Sequence, residues 1–352
     1  MRVKSLTLKE KSSRNTCIYA KFFVSLWAFL FFAVMINRTL IRIKVVQTLF
    51  GYYQNEGALP SEARKQLMRS FADCYDLYML LLDFANALTT YADEQLQERI
   101  ARSQATHTSF TPNRRFIRNR FAEQLFTNQR LRRELQERNL SWEAGMSAVK
   151  SVYLSLVATP WYKEYMEQAE CTYEDDKRIW RKIYSELMPG NEAVLSALEE
   201  MELELDHFTW VTDLDFVLSY VVKSVRRFRE EEGVEQALLE MFDSEEDLEF
   251  ATSLLMNTIE HREEYDTLID ANLKNWDPDR VAFMDRIILL VSLAEIMNYP
   301  EIALQISLNE YIEIAKEYSG EKNYFFINGI LDGIIRQLKR EDRLLKAVEL
   351  DN

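Results

Sequence analysis

Arg38 and Arg42 stand four residues apart, so on a helix both guanidinium groups project from one face. Two neighbouring cations of this kind can bridge successive phosphates of a single strand, and the planar fork of arginine also stacks on bases. Lys44 lies about 200 degrees further round the axis and is a third candidate cation. Phe50 and Phe326 are candidate aromatic surfaces, and a base stacked on an exposed ring is worth roughly 1–3 kcal/mol. Lys322 and Asn328 flank Phe326 and suit contact with a phosphate and a base edge. The alternatives are plain: a solvated or salt-bridged helix face for the arginines, and the core for the two rings.

Enzymatic chemistry finds little support. His107, His207 and His261 are isolated from one another, and His261-Arg262-Glu263-Glu264 is not the H-E-x-x-H of a zinc site. No glycine-rich phosphate loop or nucleophile elbow occurs. Glu199-Glu200 and Asp213-x-Asp215 read as solvated faces of an acidic chain. Asn309-Glu310 follows Ser307-Leu308, a capping-box pattern in which Glu310 would bind backbone N–H groups at a helix start. No cofactor, no metal and no catalysis are expected. Cys17, Cys74 and Cys171 are few, odd in number and without C-x-x-C spacing, which suits a reducing cytoplasm.

These residues need helices to position them. The 352-residue chain holds only 8 Gly and 6 Pro, and Leu, Glu, Arg, Ala and Met abound. The fold class is therefore all-α. Apolar spacing predicts a helix over 36–55 and one long or two shorter helices over 62–98. A polar loop is expected at 103–113, and further helices near 143–158, 161–169, 174–188, 191–206, 208–229 and 244–272. Amphipathic helices over 279–298, 304–319 and 323–340 follow. Trp142, Trp161, Trp180 and Trp210 are expected to anchor helices. The net charge is −14, which argues against a nucleic-acid binder, but its distribution argues the other way. Residues 1–60 carry nine Lys/Arg against two Asp/Glu, and residues 161–270 carry ten against thirty.

Asp285-Arg286-Ile287-Ile288-Leu289, then Glu295, then the run 308–316 beginning Leu308-Asn309-Glu310, then Phe326-Ile327-Asn328-Gly329-Ile330-Leu331-Asp332 resemble the C-terminal half of the NusB family. Asn37-Arg38, Arg42 and Val46-Gln47-Thr48-Leu49-Phe50 resemble its opening helix. The direct resemblance covers residues 36–54 and 279–335. It implies a NusB-like helical bundle, two small bundles packed together. The long stretch between the two blocks, with Pro112-Asn113-Arg114-Arg115-Phe116 and residues 276–285, looks like the enlarged NusB of the Bacteroides group. The departures are Leu290 in place of an Arg, Ala303 in place of a Pro, and a basic cluster thinned to Arg38, Arg42 and Lys44.

The resemblance implies a cytoplasmic, non-catalytic RNA-binding factor for transcription antitermination. Such a factor binds boxA-like RNA together with NusE, a small-subunit ribosomal protein, and works with RNA polymerase and other Nus factors, notably on ribosomal RNA operons. It also implies partner-facing roles for Phe50 and Asp285, the latter against a basic group on NusE. The expected organisation is a basic, hydrophobic extension (1–34), an opening helix (35–60), an enlarged helical middle that is acidic from about 161 (61–275), closing helices (276–340) and a tail (341–352). The extension reads as an upstream misassigned start or an unusual addition. With residues 22–36 apolar, a signal layout or a membrane anchor is the alternative, and the protein would then be a membrane-tethered helical adaptor. A NusB-like domain within an RNA-modifying system is the remaining alternative.

Overall fold

The computed structural model describes residues 35–55, 57–242, 244–273, 281–319 and 323–346. The all-α expectation holds, since the described residues form helices and no β-strand. The extension 1–34, with its apolar run up to that point, lies outside the described residues, as do Lys322 and residues 274–280. No helix among the described residues is long and apolar enough to cross a membrane.

Helix α1 (Arg38–Gln54) starts at Asn37, whose side-chain oxygen accepts from the Leu40 N–H at 2.9 Å. Helix α2 (Pro60–Ala105) is one continuous element, roughly 70 Å long at the standard rise. Nothing breaks it, because no Gly or Pro follows Pro60 until its end. Its middle is buried all round, from Phe71 through Cys74, Leu77, Tyr78 and Leu81 to Ala85. The acids that share this stretch are therefore paired: Asp76 with Arg138, Asp83 with Arg132, and Asp73 with His207 Nδ1 at 2.8 Å.

The enlarged middle wraps α2. It contains α3 (Arg120–Thr127), α4 (Gln129–Glu137), α5 (Met146–Ala158), α6 (Pro160–Glu167), α7 (Tyr173–Lys182) running into a π-helical turn (Ile183–Leu187), and α8 (Glu192–Leu205). Asn119 and Asn128 cap α3 and α4 from buried positions, and Asn128 also donates to the Gln236 carbonyl at 2.8 Å. Trp142, Trp180 and Trp210 are buried, and each indole N–H has an acceptor: the Leu80 carbonyl, Asn119 Oδ1 and the Asp73 carbonyl. Trp161 is only half-buried, with the Lys182 ammonium 5.2 Å above its ring.

The chain then returns through α9 (Trp210–Arg227), α10 (Glu245–Glu260) and α11 (Arg262–Asn272), a pair split at His261 where a single helix is expected. Helix α12 (Phe283–Asn298) is the axle of the closing bundle, buried from Ile287 through Ile296. Helices α13 (Leu304–Tyr318) and α14 (Asn323–Arg340) pack against it, as do α1, α10 and α11. Helix α13 begins at Leu304, a turn earlier than the capping-box pattern suggests, so Ser307 sits inside it.

Candidate nucleic-acid interface

Helix α1 lies between α2, α10 and α12, and its residues 40–46 are buried without a gap. Arg42 and Lys44 therefore point inward, which corrects the expectation that they offer charge to a nucleic acid. Arg42 is 3% exposed. Its Nε donates to Glu295 Oε2 at 2.7 Å and its Nη2 to Oε1 at 2.9 Å. Ser307 and Tyr311 donate to the same carboxylate at 2.6 and 2.9 Å, and Glu310 lies 3.5 Å from Arg42 Nη1. Glu310 thus answers a buried arginine rather than capping a helix.

Burial disfavours the Glu295 charge, but the bonds from Arg42, Ser307 and Tyr311 outweigh it and hold the carboxyl below its ordinary range. Burial likewise works against the Arg42 guanidinium, and Glu295 more than compensates, so its pKa is raised. Lys44 is fully buried, 2.5 Å from Asp213 Oδ2 and 3.3 Å from Thr209 Oγ1. The signal for both was present in the sequence: Leu40, Ile41, Ile43, Val45, Val46 and Leu49 leave α1 no polar stripe. A cation on such a helix must be paired, and Glu295 is the matching lone acid in the apolar run of α12.

Asp285 is also corrected. It is 2% exposed, accepts from Ser319 Oγ, and accepts from Asn323 Nδ2 at 3.0 Å. It ties the start of α12 to the connection between α13 and α14 and turns no oxygen toward a partner. Burial raises its pKa against these two bonds.

Phe50, Phe326 and Asn328 lie on elements that meet at one end of the closing bundle. Gln47 donates to the Tyr318 hydroxyl at 3.3 Å, and Asp285 meets Asn323, so the end of α1, the start of α12, the end of α13 and the start of α14 coincide there. Phe50 is half-buried and tilts against Phe283 at 5.3 Å, and Phe283 is 40% exposed. On α14 the Tyr324 and Phe325 rings lie 4.1 Å apart, and Phe325 is 65% exposed. Phe326 is half-buried against the core and Asn328 is exposed. Lys316 holds its ammonium 5.4 Å above the Tyr324 ring. Sequence reading missed Phe325, Tyr324 and Phe283; the Tyr-Phe-Phe run was the available clue.

Arg38 is at the opposite end of α1, about 18 Å along the axis from Phe50. It is partly exposed, 3.2 Å from Asp247 and 5.0 Å over the Phe250 ring. Arg38 is therefore not at the end of the bundle that carries Phe50, Phe325 and Phe326. No cluster of three or more His, Cys, Asp or Glu able to hold a metal occurs among the described residues.

The NusB family model matches residues 217–336, from within α9 into α14. The transcription antitermination protein NusB of Methylacidiphilum infernorum is 35% identical over 113 residues, 31% of this chain and 79% of that protein. This chain belongs to the NusB family. The NusB of Finegoldia magna is 40% identical over 91 residues, 26% of this chain and 66% of the relative. That of Salinibacter ruber is 35% identical over 99 residues, 28% of this chain and 62% of the relative. No solved structure matches the chain. NusB is a family of transcription antitermination proteins, not of enzymes. The NusB match takes in Glu295, Phe325, Phe326 and Asn328, while Arg38 and Arg42 precede it.

Proposed function

We propose that this NusB-family chain is an RNA-binding transcription antitermination factor. It binds boxA-like single-stranded RNA together with NusE, within an elongating RNA polymerase complex that includes other Nus factors, and promotes read-through, notably of ribosomal RNA operons. The observation that carries this reading is the exposed aromatic end at the start of α14, inside the family-matched segment. Unstacked bases need exposed rings; Phe325 supplies one, with Tyr324 and Phe326 half-buried on either side of it, and an amide such as Asn328 suits a base edge. Lys316, with Lys322 close by in sequence, supplies charge for phosphates. Phe50 and Phe283 are assigned to apolar contact with the protein partner. Arg38 is assigned to a phosphate further along the strand, reached by exchanging its contact with Asp247.

The test is fluorescence anisotropy with labelled boxA RNA, with and without NusE, across a salt series. Affinity should rise with NusE and fall with salt as counterions are displaced. Phe325→Ala should weaken binding roughly 5- to 150-fold, the range that corresponds to one lost stack. Unchanged affinity in a folded Phe325→Ala/Asn328→Ala protein would exclude this surface.

A further inference from the structure

A groove with a volume of about 490 Å³ opens far from the aromatic end, between the distal part of α2, the connection at 110–117, and helices α5 and α6. It lies wholly outside the NusB-matched segment. Its size falls within the roughly 300–1,000 Å³ of ordinary ligand sites. Its floor is aliphatic, with Leu96, Ile117, Val157 and Met166 facing into it.

The rings of the groove are already engaged. Phe116 stacks on Trp180 at 5.4 Å and meets Tyr162 edge-on at 5.5 Å. Tyr153 meets Tyr91 edge-on at 5.3 Å, and the Arg99 guanidinium covers Phe110 at 4.9 Å. Base stacking needs a free ring face, so the groove suits an inserted apolar side chain better than a nucleobase.

The rim is cationic. Arg99 and Lys163 are exposed lining residues that form no ion pair among the described residues, and Glu167 is the acidic counterpart on the lining. Arg114 and Arg118 belong to the same connection as Phe116 and Ile117. Both are exposed and likewise form no ion pair among the described residues. Of the arginines around them, Arg120, Arg130, Arg132 and Arg138 pair with carboxylates, while Arg115 donates to the Gln168 carbonyl. Unneutralised cations around an apolar floor complement a ligand with the reverse pattern.

We infer that this groove docks an acidic peptide segment of a partner protein, seating one bulky apolar side chain on the floor with carboxylates against Arg99 and Lys163. The probe is a display library of random short peptides, selected on the full chain and counter-selected on Val157→Glu. A random single-stranded RNA pool is put through the same selection in parallel.

The expected result is enrichment of peptides with an aromatic or leucine anchor among acids. A selected peptide should lose roughly tenfold or more in affinity on Val157→Glu, as for a central anchor. It should weaken further in salt and on Lys163→Glu or Arg99→Glu, exposed changes that leave the fold intact. Binding of boxA RNA should be unchanged in all three variants, which separates this site from the one proposed above. Three outcomes overturn the inference: no groove-dependent peptide enrichment, enrichment of neutral or basic peptides, or groove-dependent enrichment of RNA instead.

Discussion

Arg42 and Glu295, 253 residues apart in the chain, meet through two parallel hydrogen bonds with no access to solvent. This contact joins the opening helix to the axle of the closing bundle. Removing one partner leaves a buried charge, so Arg42→Ala or Glu295→Ala should cost about 3–5 kcal/mol. The double replacement Arg42→Met/Glu295→Leu should cost much less, because it removes both desolvation penalties. Urea unfolding of the three variants measures this. Equal losses in the single and double variants would contradict it.

Lys346 gives a pH signature. Its ammonium reaches back to the Ile302 carbonyl at 2.9 Å and to Ser307 Oγ at 2.8 Å. Burial is the main cause that lowers its pKa from the ordinary 10.5 to about 8. Between those values the unfolded chain still binds a proton that the folded chain has shed, so stability rises with pH across that window. The rise should be absent in Lys346→Met. Thermal melts of both proteins at pH 7.5, 9 and 10.5 compare the slopes.

Asn128 separates α3 from α4 and closes each. Its Oδ1 accepts from the Leu131 N–H at 2.9 Å while its Nδ2 serves the Gln236 carbonyl. Asn128→Ala should destabilise by about 1–3 kcal/mol, combining a lost cap with a buried carbonyl left without its donor. Asn128→Asp keeps a cap acceptor but sets a buried carboxylate oxygen against the Gln236 carbonyl, so it should cost at least as much as Asn128→Ala by the same unfolding assay.

The two arginines of α1 should separate in a salt titration. If Arg38 takes up a phosphate, Arg38→Ala lowers the slope of log affinity against log salt by about 0.7, the value for one contact on a single strand. Arg42→Ala should leave the slope of the folded fraction unchanged, since its guanidinium meets only protein groups. An unaltered slope in Arg38→Ala would remove Arg38 from the interface.

Much of the architecture was legible in the chain because helices are local. Low Gly and Pro content and the recurring apolar positions placed α1 and α12 to α14 within a few residues, while α2 is a single helix that runs past the expected end at 98 to Ala105. The break at His261 was not legible, because no Gly or Pro marks it. The family blocks were equally readable, since the motifs around Asp285, Glu295, Asn309 and Phe326 are contiguous stretches of sequence.

The facing of the charged residues was a different matter. Spacing put Arg38 and Arg42 on one side of a helix, but whether that side meets water depends on how many neighbours the helix has. Helix α1 packs on α2, α10 and α12, the last two about two hundred residues or more away; with Asp213 on α9 and Glu310 on α13 they enclose Lys44 and Arg42 while Arg38 stays partly open. Asp285, in turn, became internal only when the start of α14 folded back on it. Sequence alone set the helices, the family and the supply of charges and rings. Tertiary structure decided which were consumed in holding helices together and which remained for a partner, because burial is a property of the assembled neighbours and not of the local turn.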